Sequence, residues 1–448
     1  MPIPPKPKSR PDKVSFLRYL LMFRRDILSA QPQKLYNAKM AEFKTPFFRS
    51  FLINEPALIH EVLNERPLDF PKSDRIGAGL RPLLGNSVFV TNGEVWEKQR
   101  RIIDPAFERG NLRGAFPAMI DAADAAVKRM SGSNEVIEIE EQSSFAAADV
   151  IFRTLFSIPI ESEIAKTVFL QFQRYQRAQP IVNLAAFLPK LFPKAWLRKD
   201  TRNAAKEIRD LIRQLTAERQ TLISNSDAPD DLATKIMTTP DLETGETFSA
   251  EDMVDQVAIF FLAGHETSAS ALAWSLYLLA THPEWQSRLH DEAEGFDGSF
   301  ASLSKLKLTR QVFREALRLY PPVPMMVREA TKTEVFRNRK VPRGSMIVLS
   351  PWHLHRHERY WDDPDVFDPA RWGQEESKQA HRSAHIPFSS GARVCPGAGF
   401  AMMEGVVMLT KLVKAYSFTA DPDRIPVPVA HLTVRAKDGI WLKVQDRG

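Results

Sequence analysis

Phe388-Ser389-Ser390-Gly391-Ala392-Arg393-Val394-Cys395-Pro396-Gly397 holds the only cysteine in a chain of 448 residues. A lone thiol cannot form an internal disulfide, a four-cysteine zinc site or an iron–sulfur cluster, which leaves an inert core residue, a nucleophile or a single axial metal ligand. The neighbours favour the ligand. Gly391 and Gly397 lack the Cβ that would hold a flat macrocycle away from the backbone, and the run after Cys395 reads as a helix. A thiolate there lies near a helix N-terminus, where backbone N–H groups and the dipole favour ionised sulfur. Arg393, two residues before the sulfur, can pair with a carboxylate on the rim of such a ring, and Phe388 offers a flat apolar shield for a metal–sulfur bond.

Working outward, residues 249–281 carry the longest helical pattern, opened by Ser249 with Asp252 three positions on. At its centre, Ala263-Gly264-His265-Glu266-Thr267-Ser268 puts a glycine and two hydroxyls inside a good helix, against local propensity. A loosened turn there would leave room for a small gas molecule and a water, with Glu266 and Thr267 placed to supply protons. His265 reads as a packing or hydrogen-bonding residue. Trp96 and Arg100 share a helix face at i, i+4, and Glu315 and Arg318 at i, i+3.

These stretches together resemble the cytochrome P450 superfamily. Residues 388–397 match its haem-binding signature, Phe-x-x-Gly-x-Arg-x-Cys-x-Gly, at all five fixed positions. Trp96/Arg100, residues 263–268, Glu315/Arg318 and Pro369-Ala370-Arg371-Trp372 follow in the family's order. The resemblance covers essentially the whole chain. It implies a mostly α, triangular helical domain with a small β-rich lobe, spanning 14–448 behind a flexible arm of residues 1–13. It implies haem b (iron protoporphyrin IX), with Cys395 as the axial ligand of the iron. Trp96 and Arg100 would bind one propionate and Arg328 the other, with Phe388, Gly391, Arg393 and Gly397 around the ring. Glu266 and Thr267 would be the acid–alcohol pair of oxygen activation. Glu315, shared between Arg318 and Arg371, would lock the cysteine loop. Ala263, Gly264, Phe89, Val323 and Met325 would line the substrate pocket.

The activity so implied is insertion of one oxygen atom of O2 into a C–H bond of an apolar small molecule. With no Gly-x-Gly-x-x-Gly fingerprint and one cysteine, the electrons are expected from a ferredoxin or flavodoxin with its reductase. That partner would dock on a basic face of Lys98, Arg101 and Arg109, diluted by Glu97 and Glu108. A peroxide-driven haem-thiolate enzyme is the first alternative, although such relatives usually lack the acid–alcohol pair. A haem-binding sensor or carrier is the second.

Composition bounds the rest. Hydrophobic residues at 44%, with 28 Phe, supply a deep core and a pocket. The net charge of +6 is scattered, which gives no support for nucleic-acid binding. No apolar run reaches the ~18 to 20 residues of a transmembrane anchor, and the Pro- and Lys-rich start lacks a signal peptide's apolar core, so a soluble, cytoplasmic monomer of the bacterial type is expected. Residues 14–28 form a basic amphipathic stretch expected to pack on its own protein more than to touch a membrane surface. Residues 70–93 read as a mobile apolar flap, and two helices joined by the loop around 180–196 as a lid. His353, His355 and His357 read as a polar patch and not a metal site. Two final strands, near 431–436 and 439–445, turn through Lys437-Asp438-Gly439.

Overall fold

The computed structural model describes residues 2–45, 49–132, 135–178, 199–373, 383–430 and 432–447. In chain order its helices are α1 (Phe16–Arg25), α2 (Pro56–His60), α3 (Asp74–Leu84), α4 (Gly93–Ile103), α5 (Arg109–Met130), α6 (Ile139–Phe156), α7 (Glu163–Ala178), α8 (Lys199–Ser224), α9 (Leu232–Thr238), α10 (Ala250–Thr281), α11 (Pro283–Glu294), α12 (Lys307–Leu319), α13 (Pro351–Leu354) and α14 (Ala398–Ala415). The strands are β1 (Met40–Lys44), β2 (Arg49–Ile53), β3 (Val136–Glu138), β4 (Met326–Glu329), β5 (Glu334–Phe336), β6 (Arg339–Val341), β7 (Met346–Leu349), β8 (Tyr416–Ala420), β9 (Pro428–Ala430), β10 (Val434–Ala436) and β11 (Trp441–Asp446).

Ser249 and Asp252 close a capping box that starts α10. Its 32 residues span about 48 Å at the α-helical rise. A helix that is apolar all round must be buried, and α10 runs through the main core against α6, α8, α12 and α14. A smaller core of Phe51, Ile53, Phe70, Ile347, Leu349 and Trp361 supports a sheet in the order β1-β2-β7-β4. There β2 pairs parallel with β7, and β4 returns antiparallel to β7 so that Arg328 lies opposite Ile347.

Several expectations fail for stated reasons. Residues 74–84 form a helix, α3, where a flap was expected. Burial of Leu80, Leu83 and Leu84 against α8 and α10 outweighs the poor propensity of Gly77 and Gly79. Helix α10 is unbroken across residues 263–268, and Ile151 of α6 occupies the space that a Cβ on Gly264 would need. That glycine serves helix–helix approach. The N-terminal arm is extended but anchored: Arg10 Nε donates to Ala30 O at 2.7 Å and Tyr320 Oη donates to Pro5 O at 2.8 Å. Helix α1 packs only in part: Tyr19, Leu20, Met22 and Phe23 are half-buried, whereas Phe16, Leu17 and Leu21 are exposed. The last strands do not pair with each other, since β10 joins β9 and β11 joins β8 and β3. The lid loop around 180–196 lies outside the described residues. Among the described residues no helix is long and apolar enough to cross a membrane.

Candidate active site

Cys395 lies just before α14, whose N-cap is Gly397, and its N–H donates to Phe388 O at 2.9 Å. The residue is solvent-accessible but recessed. Desolvation raises its thiol above the ordinary value, while the Gly397 N–H and Arg100 pull it down. A Cβ on Gly397 would lie 3.9 Å from the sulfur and from Phe107, so that side of the sulfur stays slim. Gly391 has a further reason to be glycine. Its φ is +70°, and a Cβ would overlap the Leu63 carbonyl, so the residue lets the loop pass close to the helical turn of residues 61–65 that follows α2. Phe107 then joins the loop to the central helix, 5.8 Å from Phe260 of α10 and 6.4 Å from Phe400 of α14 between ring centroids.

Next to the cysteine loop the fold gathers cations. Arg393 is buried, donates to Asn92 Oδ1 at 2.9 Å and lies 4.0 Å from the centre of the Trp96 ring. Arg100 donates to Val394 O at 2.7 Å and pairs with Asp104 at 2.7 Å. Arg328, buried on β4, donates to Val327 O at 3.1 Å. Burial and the neighbouring guanidiniums depress both Arg328 and Arg393 to about 10. Lys72 completes the group. Its Nζ donates to Phe89 O at 2.7 Å, lies 4.9 Å from the Phe89 ring centre, and is held well below an ordinary lysine by burial and by Arg393, Arg328 and Arg100. Four mutually repelling cations with Asp104 as the one ion-paired carboxylate among the described residues, and Glu97 acting on Arg393 only at longer range, is a poor arrangement by itself. Such a set fits a ligand that brings its own carboxylates, as haem does with two. The sequence carried no local signal for Lys72, which joins this cluster through the bridge that pairs it with Arg328 and through Asn92, whose Oδ1 accepts from both Lys72 N and Arg393.

Lys72→Met therefore has two opposite expected effects. The haem-free protein becomes more stable, and haem leaves the loaded protein roughly tenfold faster. Thermal melts of the apo form and haem transfer to excess apo-globin measure them; a faster loss without apo stabilisation would point to misfolding instead.

On α10, Ala263 is exposed and Thr267, one turn on, is half-buried, as are Gly264 and Ser268, while His265 and Glu266 are buried. Thr267 Oγ1 donates to Ala263 O at 2.6 Å. Glu266 turns elsewhere: its Oε1 accepts from Thr433 Oγ1 at 2.9 Å and from Arg435 Nη2 at 3.1 Å, partners that sequence reasoning missed because they lie on and beside β10. His265 is buried edge-to-face on Phe169, 5.8 Å away, and burial lowers it to about 4, so it packs as a neutral ring. Val323 and Met325 are half-buried, and Phe89 is exposed beneath Lys72.

Ser268 Oγ donates to Glu404 Oε2 at 2.6 Å, joining α10 to the helix that follows Cys395. Burial raises Glu404 from 4.5 to about 8. The folded chain thus keeps a proton that the unfolded chain sheds above its ordinary value, so stability is full below that value and declines as pH rises toward 8. At ~1.4 kcal/mol per pH unit the loss is roughly 4 to 5 kcal/mol. Glu404→Gln should flatten that slope in melts taken from about pH 5 to about pH 8; a slope unchanged in the variant would assign it to another group.

Glu315, fully buried, lies between two arginines. Arg318 reaches both carboxylate oxygens at 2.7 and 2.9 Å, and Arg371 Nε donates at 3.0 Å. Trp372 Nε1 donates at 3.0 Å, and the Trp372 ring lies 4.6 Å from His385. His355 Nε2 accepts from Ile386 N at 2.9 Å, so these contacts run to the segment that leads into Cys395. His353, His355 and His357 are buried structural residues, not a surface patch. No cluster of metal-ligating side chains occurs among the described residues. The expected basic docking face is also revised: Lys98 pairs with Glu246 at 2.5 Å and Arg101 with Asp241 and Glu243 at 2.5 and 3.1 Å, which neutralises both.

The family model described as Cytochrome P450 matches residues 9–444. Among curated relatives, Cytochrome P450 4A7 of Oryctolagus cuniculus is 30% identical over 401 residues, covering 84% of this chain and 77% of that protein. Cytochrome P450 4A14 of Rattus norvegicus is 29% identical over 419 residues, covering 88% and 81%. The crystal structure of the cytochrome P450DA heme domain superposes with a TM-score of 0.81 at 24% identity, covering 100% of this chain and 98% of that one.

Proposed function

The chain belongs to the cytochrome P450 family, and on that premise we propose a haem b monooxygenase that oxidises apolar small molecules with electrons from a ferredoxin or flavodoxin and its reductase. Membership makes it a haem-thiolate monooxygenase that uses dioxygen and a redox partner. The finer statements rest on the residues. One observation carries most weight: an accessible lone thiol at a helix N-terminus beside four cations with one ion-paired carboxylate, Asp104, among the described residues.

Cys395 would hold the iron, while Lys72, Arg100, Arg328 and Arg393 would take the two carboxylates of haem. Bound there, haem supplies the reduction of dioxygen and the transfer of one of its atoms. The chain's own residues bind, orient and move protons. Thr267 holds a proton at Oγ1 on the accessible face of α10. Glu266, tethered to Arg435 and Thr433, is the acid next to it in sequence, and Arg435 is half-exposed, which links that acid to solvent. Ala263, Phe89, Val323 and Met325 offer apolar surface and no charge, which suits a substrate held by desolvation more than by hydrogen bonds.

The test is turnover of an apolar compound library by haem-loaded protein, with a reductase system and dioxygen in one arm and hydrogen peroxide in the other. Product in the first arm supports the reading. Product only with peroxide would make the protein a peroxygenase, and none in either a sensor or carrier.

A further inference from the structure

We propose that the segment between α3 and α4 is a polar relay that couples the packing of α8 to the grip of the chain on haem; this rests on the haem reading given above. Residues 85–92 form no helix or strand, and several of their polar groups are satisfied by side chains that arrive from α4, α8, α10 and Lys72. From α8, Arg209 Nη1 donates to Leu83 O at 2.9 Å and stands 2.7 Å from Asp255 Oδ1, while Nη2 holds Glu251. From α10, Asp255 Oδ2 accepts from Asn86 N at 2.6 Å, and Gln256 Oε1 accepts from Val88 N at 2.9 Å. Gly85, at a φ of +49°, permits this approach, since a Cβ there would fall 2.0 Å from the Asp255 carboxylate.

The other end of the segment reaches the cations. Gln99 of α4 donates through Nε2 to Asn86 O at 2.6 Å and accepts at Oε1 from Thr91 Oγ1 at 2.6 Å. Thr91 O accepts in turn from Arg393 Nη1 at 3.3 Å, and Lys72 Nζ donates to Val88 O at 3.2 Å. Asp255, Gln256, Gln99 and Thr91 are all buried. A buried donor or acceptor that loses its partner is costly, so bonds linked in this way persist or fail together. If Arg209 leaves Leu83 and Asp255, residues 85–88 are freed from α10, then Asn86 from Gln99 and Thr91 from Arg393. Linkage makes the effect mutual: haem carboxylates that fix Arg393 also tighten α8 on α3. Phe89 stands on the same segment, so a substrate that presses on it acts on the relay.

The experiment is haem transfer from loaded, full-length protein to excess apo-globin, with amide hydrogen exchange of the haem-free chain as a readout of the relay without haem. Arg209→Met should speed haem loss roughly tenfold and exchange at residues 86–91 by a similar factor, although Arg209's own partners are Leu83, Asp255 and Glu251. Gln99→Leu should do the same, and the two changes together should cost no more than either alone. Arg219→Met removes a comparably buried pair, with Asp231, elsewhere on α8; it should lower the melting temperature and leave haem loss as in the parent. Haem loss unchanged by Arg209→Met, additive effects of the two variants, or equal acceleration by Arg219→Met would overturn the proposal. A parent that holds no haem would overturn the haem reading, and the proposal with it. A parent that holds haem, with exchange at residues 86–91 unmoved by Arg209→Met, would overturn the relay alone.

Discussion

Cys395→Ala protein, supplied with haem and reduced under carbon monoxide, is expected to lose the red-displaced Soret band of the parent and to fall to background turnover. Cys395 is the only cysteine of the chain, and as the proposed ligand its thiolate would supply the electron donation to iron that the family's chemistry needs. Changes outside the ligand sphere of metal sites alone cost 10- to 100-fold, so loss of the ligand should cost more, on the order of a thousandfold. Fold loss is a weak explanation here, because Cys395 is accessible and its backbone contacts, N–H to Phe388 O and C=O from Ala398 N, do not involve the sulfur. A variant that kept the displaced band would remove Cys395 from the iron and with it the proposed chemistry.

Glu315→Gln should be the most damaging substitution far from the thiol, with a loss of about 3–5 kcal/mol in folding stability and a large drop in haem content. Burial pushes the Glu315 carboxyl up, but Arg318 and Arg371, with the Asp368 N–H, hold it below the usual range. A depressed carboxylate stabilises above its unfolded value and loses that contribution as pH falls through the folded one. The network should thus be intact at neutral pH and fail in acid. The amide keeps shape and one acceptor but leaves two buried guanidiniums uncompensated, including Arg318, which also holds the carbonyls of His355, Pro364 and Val366. Chemical denaturation and the haem-to-protein absorbance ratio measure the two effects. A stable variant with normal haem content would show that the lock is dispensable.

Signals that live within one turn or one loop were legible. The Ser249/Asp252 capping box, the i, i+3 spacing of Glu315 and Arg318 and the spacing around Cys395 are local, and each maps onto a local hydrogen bond or helix start. The cation cluster was half legible. Arg100, Arg328 and Arg393 stand in recognisable stretches, whereas Lys72 is ordinary in its own surroundings. At Gly264 and Gly391 the close neighbours, Ile151 and the Leu63 carbonyl, could not be read from the sequence, which shows a missing side chain but not which neighbour fills the space. Lys98 and Arg101 looked like a docking face because their acidic partners lie about 140 residues away.

From the linear chain alone came the proposed ligand, the family and the mostly helical architecture, because one thiol in a fixed pattern and 3.6-residue periodicity are properties of short segments. Tertiary structure decided the rest. It placed Lys72 among the arginines, turned Glu266 toward Arg435, converted residues 74–84 from loop to helix and left α1 only partly packed. Those outcomes depend on which surfaces meet in space, and desolvation and charge act through space, not along the backbone.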